Sequence, residues 1–324
     1  MMLLAFVLFV MIVFWLSVYG LFWYIFCYPE RKRPNAHHIP ESALYKTYRE
    51  LMQKGVEDMD NTPGEDVSII SRDGCMLCGR LYVFRKKAPL MIFFHGYHGV
   101  PAWDGYGFFK ICKKHGINIL MADQRAHGKS RGRFITFGIR ERYDCKQWAE
   151  YAAQRFGEKT DIFLAGVSMG AASVLMSSEL GLPQTVKALL ADCGYSEPAA
   201  IMKETVRKMG LPVRLTYALI SLGARVFGHI DLEETTALSA VKSLQIPVLF
   251  LHGKQDSIVS LTMSDALYES SASQKERVVI EGADHANSAM TDFEAYEKAV
   301  LRFLCQKCGY CFANGNTSCK GETI

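Results

Sequence analysis

The sequence predicts an α/β fold in which a mostly parallel sheet is flanked by helices and carries a helical cap insertion. Short apolar runs alternate with helical segments along residues 65–304, as is typical of βαβ units. One segment, about residues 196–240, interrupts this alternation and has only helical character. A serine flanked by glycines follows one of the apolar runs, in residues 161–170, at the turn into a helix-compatible segment.

An uncharged apolar stretch opens the chain and predicts a single-pass transmembrane anchor over residues 1–29. Met1 to Tyr28 carries no charged side chain and, at about 1.5 Å per residue, exceeds the ~30 Å hydrocarbon core of a bilayer. A cleavable signal peptide fits less well, because no basic residue precedes the run and no Ala-x-Ala-like site follows it. The second half of the stretch holds aromatic residues of the kind that favour membrane interfaces: Trp15, Tyr19, Trp23, Tyr24 and Tyr28.

Charge and cysteine content favour a cytoplasmic location for the chain beyond the anchor. Three basic residues lie in Glu30–Arg33, directly after the anchor, and none precedes it. The ten cysteines do not resemble a secreted disulfide framework. The net charge of +4 is mild, and no dense basic patch is interleaved with aromatic residues, so we expect no nucleic-acid partner.

Residues 30–64 are interpreted as a polar connector, and residues 65–304 as the main domain. Within the connector a helix is expected from Ala43 to Lys54, which Ser42 is placed to cap. The main domain opens with two apolar runs around Asp73-Gly74, which predict an antiparallel hairpin at a sheet edge. Further strands are expected at 90–94, 117–122, 162–165, 186–191, 247–251 and 277–280, with helices at 106–114, 140–156, 261–269 and 291–304.

The cap, about residues 196–240, lies between two of these strands. Open α/β sheets bind ligands outside the carboxyl ends of their strands, so a helical segment inserted there is expected to cover the site. Its apolar residues either line an acyl-binding pocket or only pack the cap onto the core: Met202, Val206, Met209, Leu215, Leu219, Leu222 and Val226.

Residues 166–170 read Gly-Val-Ser-Met-Gly between an apolar strand and a helix-compatible run, which is the arrangement of a nucleophile elbow. A serine on such a turn is held in a strained backbone conformation with its hydroxyl exposed above the sheet. Gly166 and Gly170 are expected there because a Cβ at either position would crowd the neighbouring strand and helix. We therefore predict that Ser168 is a catalytic nucleophile; the alternative is a tight glycine turn that happens to carry a serine.

A serine nucleophile needs a base, and the base needs an acid that holds it in one tautomer. Asp256 and His285 each follow a later strand and are expected at the same rim of the sheet as Ser168. His252 is a rival in the first of these loops but is interpreted as structural. Asp284 is a rival acid, although adjacent side chains such as those of Asp284 and His285 rarely face each other.

Acyl transfer also needs two donors for the oxyanion. The backbone N–H groups of Met169 and Tyr97 are predicted to form this oxyanion hole, Met169 because it follows the nucleophile and Tyr97 because it lies in the glycine-containing loop after strand 90–94. His95 and His98 lie in the same loop. We interpret His95 as holding the loop, and no metal-ligand spacing recruits either residue.

These motifs together resemble the α/β-hydrolase superfamily, and specifically its serine esterase/lipase and serine-aminopeptidase-like branch, which is often membrane-anchored. The resemblance covers roughly residues 65–304 and rests on motifs that come in family order: His95-Gly96, 123–130, 166–170, 246–256 and 282–285. It implies an α/β-hydrolase fold, a Ser168–His285–Asp256 triad and no cofactor. It also implies that residues 123–130 form a structural loop.

The resemblance implies hydrolysis of an ester, thioester or amide through an acyl-enzyme intermediate. The apolar cap and the anchor favour a small-molecule or lipid ester as substrate, so a carboxylesterase or lipase-like serine hydrolase is our first hypothesis. A serine-aminopeptidase-like amide or peptide hydrolase is the first alternative. A non-catalytic binding module on the same fold is the second, although every triad position is intact.

The tail, residues 305–324, lies outside the resemblance. Its four cysteines are Cys305, Cys308, Cys311 and Cys319, which gives the spacing C-x2-C-x2-C-x7-C. Four thiolates can hold zinc or an iron–sulfur cluster, but this spacing matches neither pattern well, so we interpret them as free or redox-active thiols and keep metal binding as the alternative.

Overall fold

A computed structural model describes residues 1–39, 41 and 43–310. It confirms the α/β architecture with a single eight-stranded, mostly parallel sheet in the order β1-β2-β4-β3-β5-β6-β7-β8. The strands are β1 Glu65–Ile70, β2 Met76–Tyr82, β3 Leu90–Phe94, β4 Asn118–Ala122, β5 Ile162–Val167, β6 Val186–Asp192, β7 Val248–Gly253 and β8 Lys275–Ile280. Among these eight strands β1 pairs antiparallel with β2, as the Asp73-Gly74 turn predicts, and β2 pairs antiparallel with β4.

Helices cover both faces of the sheet, so its central strands are buried on both sides. In chain order the helices of the main domain before the cap are α4 Pro101–Asp104, α5 Tyr106–His115, α6 Glu141–Phe156 and α7 Met169–Ser177, and those after the cap are α11 Leu261–Ser270, α12 Ser288–Thr291 and α13 Phe293–Cys308. One core cluster packs α6 and α7 against the sheet, and a second packs α5 and α13 against the opposite face. The site is therefore carried by loops at the carboxyl ends of a rigid sheet.

The cap follows β6. It consists of α8 Pro198–Lys208, α9 Val213–Gly223, a π-helical turn Ala224–Gly228 and α10 Ala237–Val241. Of the cap residues considered for an acyl site, Met202 and Val206 are buried in the core. Met209, Leu215 and Val226 are instead exposed, so they do not line an enclosed pocket in this structure.

The chain before the main domain is helical and packed against it. Helix α1 runs from Met2 to Phe26, and two further helices follow, α2 Ala43–Lys46 and α3 Arg49–Asn61. The expected single helix from Ala43 to Lys54 is thus interrupted after Lys46, and Ser42, its expected cap, lies outside the described residues. The indole nitrogen of Trp103 donates to the Ala36 carbonyl at 2.6 Å, which ties the connector to α4.

At the other end, α13 continues past Leu304 to Cys308, so Cys305 and Cys308 lie on its last turn. Cys311 and Cys319 lie outside the described residues, and the metal-site question for the tail is therefore not addressed by the structure. The division into anchor, connector, main domain and tail stays a prediction.

Candidate active site

Ser168 lies on the turn between β5 and α7, with φ 54° and ψ −115°, a backbone conformation that residues other than glycine rarely adopt. The turn is held tightly by its neighbours. A Cβ at Gly166 would come within 2.4 Å of the Gly170 carbonyl carbon, and a Cβ at Gly170 within 2.0 Å of the Phe94 carbonyl oxygen. The two glycines are thus required by close backbone approach, as expected for a nucleophile elbow.

The structure brings Ser168, His285 and Asp256 into one hydrogen-bonded chain. His285 Nε2 lies 2.9 Å from Ser168 Oγ, and His285 Nδ1 lies 2.8 Å from Asp256 Oδ2. This order leaves the serine proton facing one ring nitrogen and the carboxylate facing the other, which is the arrangement that activates a serine.

Asp256 is fully buried and remains a strong acceptor. Its Oδ1 accepts the backbone N–H groups of Ile258 and Val259 at 2.9 and 2.8 Å. Burial opposes its ionisation, but hydrogen bonds from His252 and His285 outweigh this and hold the pKa of Asp256 well below its usual value. A carboxylate that stays ionised can stabilise the imidazolium that forms when His285 takes a proton.

His252 and Asp284, the alternative candidates for the triad, do not take the place of Asp256. His252 is buried, and its Nε2 lies 3.0 Å from the Val259 carbonyl oxygen and 3.2 Å from Asp256 Oδ2. It therefore braces the same carboxylate oxygen that faces His285 Nδ1. Asp284 Oδ1 accepts the backbone N–H groups of Ser257 and His285 at 2.7 and 2.6 Å, so it links the two loops and does not face the imidazole ring.

The loop after β3 closes over the serine. A Cβ at Gly96 would lie 3.3 Å from Ser168 Cβ, which places this loop directly against the elbow. As the first residue of α7, Met169 has no intrahelical acceptor for its N–H. No acceptor for the Tyr97 N–H is found within the described ranges. Both groups are therefore available to an oxyanion, as predicted, although their role stays a proposal.

One residue that the sequence analysis missed, Asp104, fixes this loop. Its Oδ2 accepts the Gly96 N–H at 2.7 Å, and a Cβ at Gly99 would come within 2.2 Å of the same oxygen. Removal from water raises the pKa of Asp104 to about 6. No motif marks this aspartate, because its only signal is a contact between residues eight positions apart.

The loop histidines are structural. His95 Nδ1–H donates to the Gly96 carbonyl at 2.8 Å, and its Nε2 accepts the Gln124 N–H at 3.0 Å. His127 Nε2 likewise accepts the His98 N–H at 3.1 Å. Burial lowers the pKa of His95 and of His98 to about 4, so neither ring competes with His285 as a base.

The side chain of Tyr97 links the loop to α1. Its hydroxyl donates to the Ile25 carbonyl at 2.9 Å, in the last turn of that helix. The ring of His98 stacks between Tyr97 and Tyr28, with centroid distances of 3.8 and 4.0 Å. The end of the predicted anchor therefore touches the loop that would supply an oxyanion donor.

Within the described part of the chain, the side chains that could hold a metal ion are Cys193, Asp256 and His285. Both ring nitrogens of His285 are occupied by Ser168 and Asp256, and burial raises the pKa of the Cys193 thiol well above its usual value. A protonated thiol and an engaged imidazole are poor ligands. The donor set therefore fits proton transfer better than metal binding.

Comparison with known proteins supports the α/β-hydrolase fold. Residues 85–209 match the family Hydrolase_4, described as serine aminopeptidase, S33. The uncharacterized protein YqkD of Bacillus subtilis is 25% identical over 193 residues, which cover 58% of this chain and 62% of YqkD. The chain thus spans less than two thirds of the length of the curated relatives that it matches first.

Two solved structures share the fold. The esterase Pf2001 of Pyrococcus furiosus superposes with a TM-score of 0.62 at 25% identity, over 76% of this chain and 93% of Pf2001. Est1E of Butyrivibrio proteoclasticus, solved with ferulic acid bound, superposes with a TM-score of 0.57 at 23% identity, over 75% of this chain and 100% of Est1E.

Proposed function

The chain belongs to the α/β-hydrolase superfamily, and from this premise we propose that it is a serine hydrolase that cleaves carboxylic esters through an acyl-enzyme intermediate. The observation that carries the proposal is the hydrogen-bonded chain from Ser168 Oγ through His285 to Asp256. A non-catalytic binding module would have no need of these hydrogen-bonded residues.

In the proposed mechanism Ser168 Oγ attacks the substrate carbonyl while His285 Nε2 takes the hydroxyl proton. Asp256 orients the imidazole and stabilises its charged form. The N–H groups of Tyr97 and Met169 donate to the oxyanion, and His285 returns the proton to the leaving group. Water then attacks the acyl-enzyme, again with His285 as base, and releases the acid and free Ser168.

Ester substrates are favoured over amides by the likeness to Pf2001, which is itself described as an esterase. The second candidate, a serine-aminopeptidase-like activity on amides or peptides, is favoured by the description of the matching family. No cofactor is required by either reaction.

The test is hydrolysis of p-nitrophenyl esters of graded acyl length by the full-length chain in detergent. Ser168→Ala should lower kcat by at least about 10³-fold, because the nucleophile is removed and only binding and oxyanion stabilisation remain. Ser178→Ala is the matched control, since its hydroxyl bonds only the Leu175 carbonyl near the end of the same helical segment. Unchanged ester hydrolysis by Ser168→Ala would contradict the proposal; turnover of amides alone would favour the second candidate.

We further propose that α1 anchors the protein as a single span with the hydrolase domain on the cytoplasmic side. Among the described residues α1 is the one helix long and apolar enough to cross a membrane, and its residues are almost all exposed. The basic residues Arg31–Arg33 lie on the side of the hydrolase domain, which agrees with the positive-inside rule. If protease digests the domain in sealed vesicles with the cytoplasmic face inside, this sidedness is wrong.

A further inference from the structure

Helix α1 is joined to the cap along one face of its second half. Val18, Phe22 and Phe26, spaced four residues apart, are 0%, 2% and 0% exposed, whereas every side chain from Met1 to Ser17 is exposed. Gly223 of the cap makes the close approach possible. A Cβ there would lie 3.1 Å from both Phe22 Cβ and the Val18 carbonyl oxygen.

The π-helical turn of the cap reaches further along α1. The ring of Phe227 lies 5.1 Å from Tyr19, 6.2 Å from Trp15 and 5.8 Å from Phe22, between ring centroids. The cap therefore contacts α1 at least as far toward its amino end as Trp15.

The length of α1 then places this part of the cap at the membrane. The segment whose side chains are all exposed, Met2 to Ser17, has about 16 residues and is about 24 Å long at 1.5 Å per residue. A hydrocarbon core of about 30 Å needs about 20 residues, so it must extend to about residue 21. Phe227, which contacts residues on both sides of Ser17, thus lies at the depth of the hydrocarbon boundary.

An exposed apolar stripe leads away from this contact. It consists of Leu215, Ala218 and Leu222 on one face of α9, with Leu211 just before that helix and Val226 in the π-helical turn after it. Leu211, Leu215 and Val226 are 44%, 61% and 43% exposed, and Leu222 is half-buried. The opposite face, with Tyr217 and Ile220, is buried against the protein.

Two exposed arginines flank the stripe: Arg214, and Arg225, whose guanidinium pairs with Asp231 at 3.1 Å. An apolar stripe with basic residues beside it suits the boundary of a bilayer, where apolar side chains enter the acyl region and arginines reach anionic headgroups.

We propose that this cap stripe is a second membrane-contact surface, which lies in the bilayer boundary because α1 is docked rigidly onto the cap. The occupant is a lipid bilayer. The inference rests on α1 being the membrane anchor but does not depend on the hydrolase activity. It predicts that the end of the cap near Val226 is immersed and that the hydrolase domain holds one fixed orientation on the membrane.

Tryptophan quenching by lipid tests the proposal. The full-length chain is reconstituted into vesicles of phosphatidylcholine with an anionic phospholipid, either ordinary or brominated on the acyl chains. Leu215→Trp and Val226→Trp introduce a reporter on the stripe, and the wild-type emission is subtracted. Ile70→Trp is the matched control, because Ile70 is 63% exposed on the edge strand β1. Wild-type and Trp15→Phe emission report separately whether α1 itself lies in the bilayer.

We expect brominated lipid to remove about half or more of the emission added at 215 and at 226 and to leave the emission at 70 unchanged. Quenching at 215 and 226 no greater than at 70, with Trp15 quenched, would overturn the membrane-contact surface while α1 remained an anchor. Blue-shifted emission at 215 without quenching would show that a second copy of the chain covers the stripe, which also overturns it. Absence of Trp15 quenching would instead overturn the anchor on which the inference rests.

Discussion

At the scale of single residues, the proposed chemistry depends on how Asp256 is held. Its Oδ2 lies 2.8 Å from a ring nitrogen of His285 and 3.2 Å from a ring nitrogen of His252. Hydrogen bonding to Asp256 raises the pKa of His252 even though burial opposes its charge. We infer that His252 is a positioning residue: it fixes the acid, while only His285 reaches Ser168.

Asp104 gives a pH-dependent prediction. Its pKa is about 6 in the folded protein and 3.8 in the unfolded chain, so the folded state binds the proton more tightly. The stability that this proton contributes is complete below about pH 4 and is lost as the pH rises through about 6. Asp104→Asn keeps an acceptor for the Gly96 N–H but has no proton to lose.

The free energy of unfolding of Asp104→Asn, relative to wild type, should therefore rise by roughly 1–1.5 kcal/mol between pH 5 and pH 7.5. Urea unfolding in detergent at the two pH values measures this difference. An equal difference at both pH values would show that Asp104 does not titrate in this range.

Sequence alone predicts the three residues of the hydrogen-bonded chain because each ends a strand or forms a turn with a recognisable pattern. It does not predict Asp104, nor the contact of His252 with Asp256. Those depend on loop conformations that no periodicity records, and on burial that only the folded chain creates.

At the scale of elements, the strand–turn–helix around Ser168 is fixed by backbone contact. Gly170→Ala would place a Cβ 2.0 Å from the Phe94 carbonyl oxygen, so β3 and α7 must separate. We expect a loss of about 1–3 kcal/mol of stability together with loss of ester hydrolysis. Gly20→Ala is the control, because no atom lies within 4 Å of its added methyl. Wild-type melting temperature and activity in Gly170→Ala would contradict this account of the elbow.

Most strands and helices follow their sequence patterns, and the differences occur at local breaks. The helix expected over residues 291–304 begins at Phe293, because Asp292 leaves the helical conformation and its side chain accepts the Ala295 N–H to begin α13. The connector helix is interrupted after Lys46 by a turn at Thr47 and Tyr48, without a side-chain cap. Amphipathic periodicity continues through such breaks, so it cannot reveal them.

At the scale of the whole molecule, α1, the proposed anchor, is also part of the hydrolase core. Phe22, Phe26, Cys27 and Tyr28 belong to the same buried cluster as the sheet and the cap. The backbone also continues the contact, since the Tyr28 N–H donates to the Arg133 carbonyl at 2.9 Å. A fully apolar stretch has no polar face, and the sequence therefore cannot show which side of α1 is buried in protein.

This predicts that substitutions in α1 destabilise the hydrolase domain according to which side they lie on. Phe22→Ala should lower its stability by about 3–5 kcal/mol, because Phe22 is 2% exposed and packs against the cap. Trp23→Ala removes a larger side chain that is 41% exposed and should have little effect in detergent. Equal thermal shifts for the two variants would show that α1 only tethers the domain.

The central claim is that Ser168 is an activated nucleophile, and covalent labelling tests it most directly. The full-length chain is treated with a fluorophosphonate, which reacts with activated serines, and the intact mass and the labelled peptide are determined. We predict one adduct per chain, on Ser168, and none in Ser168→Ala under the same conditions. An unlabelled wild-type protein, or an adduct that persists in Ser168→Ala, would contradict the account.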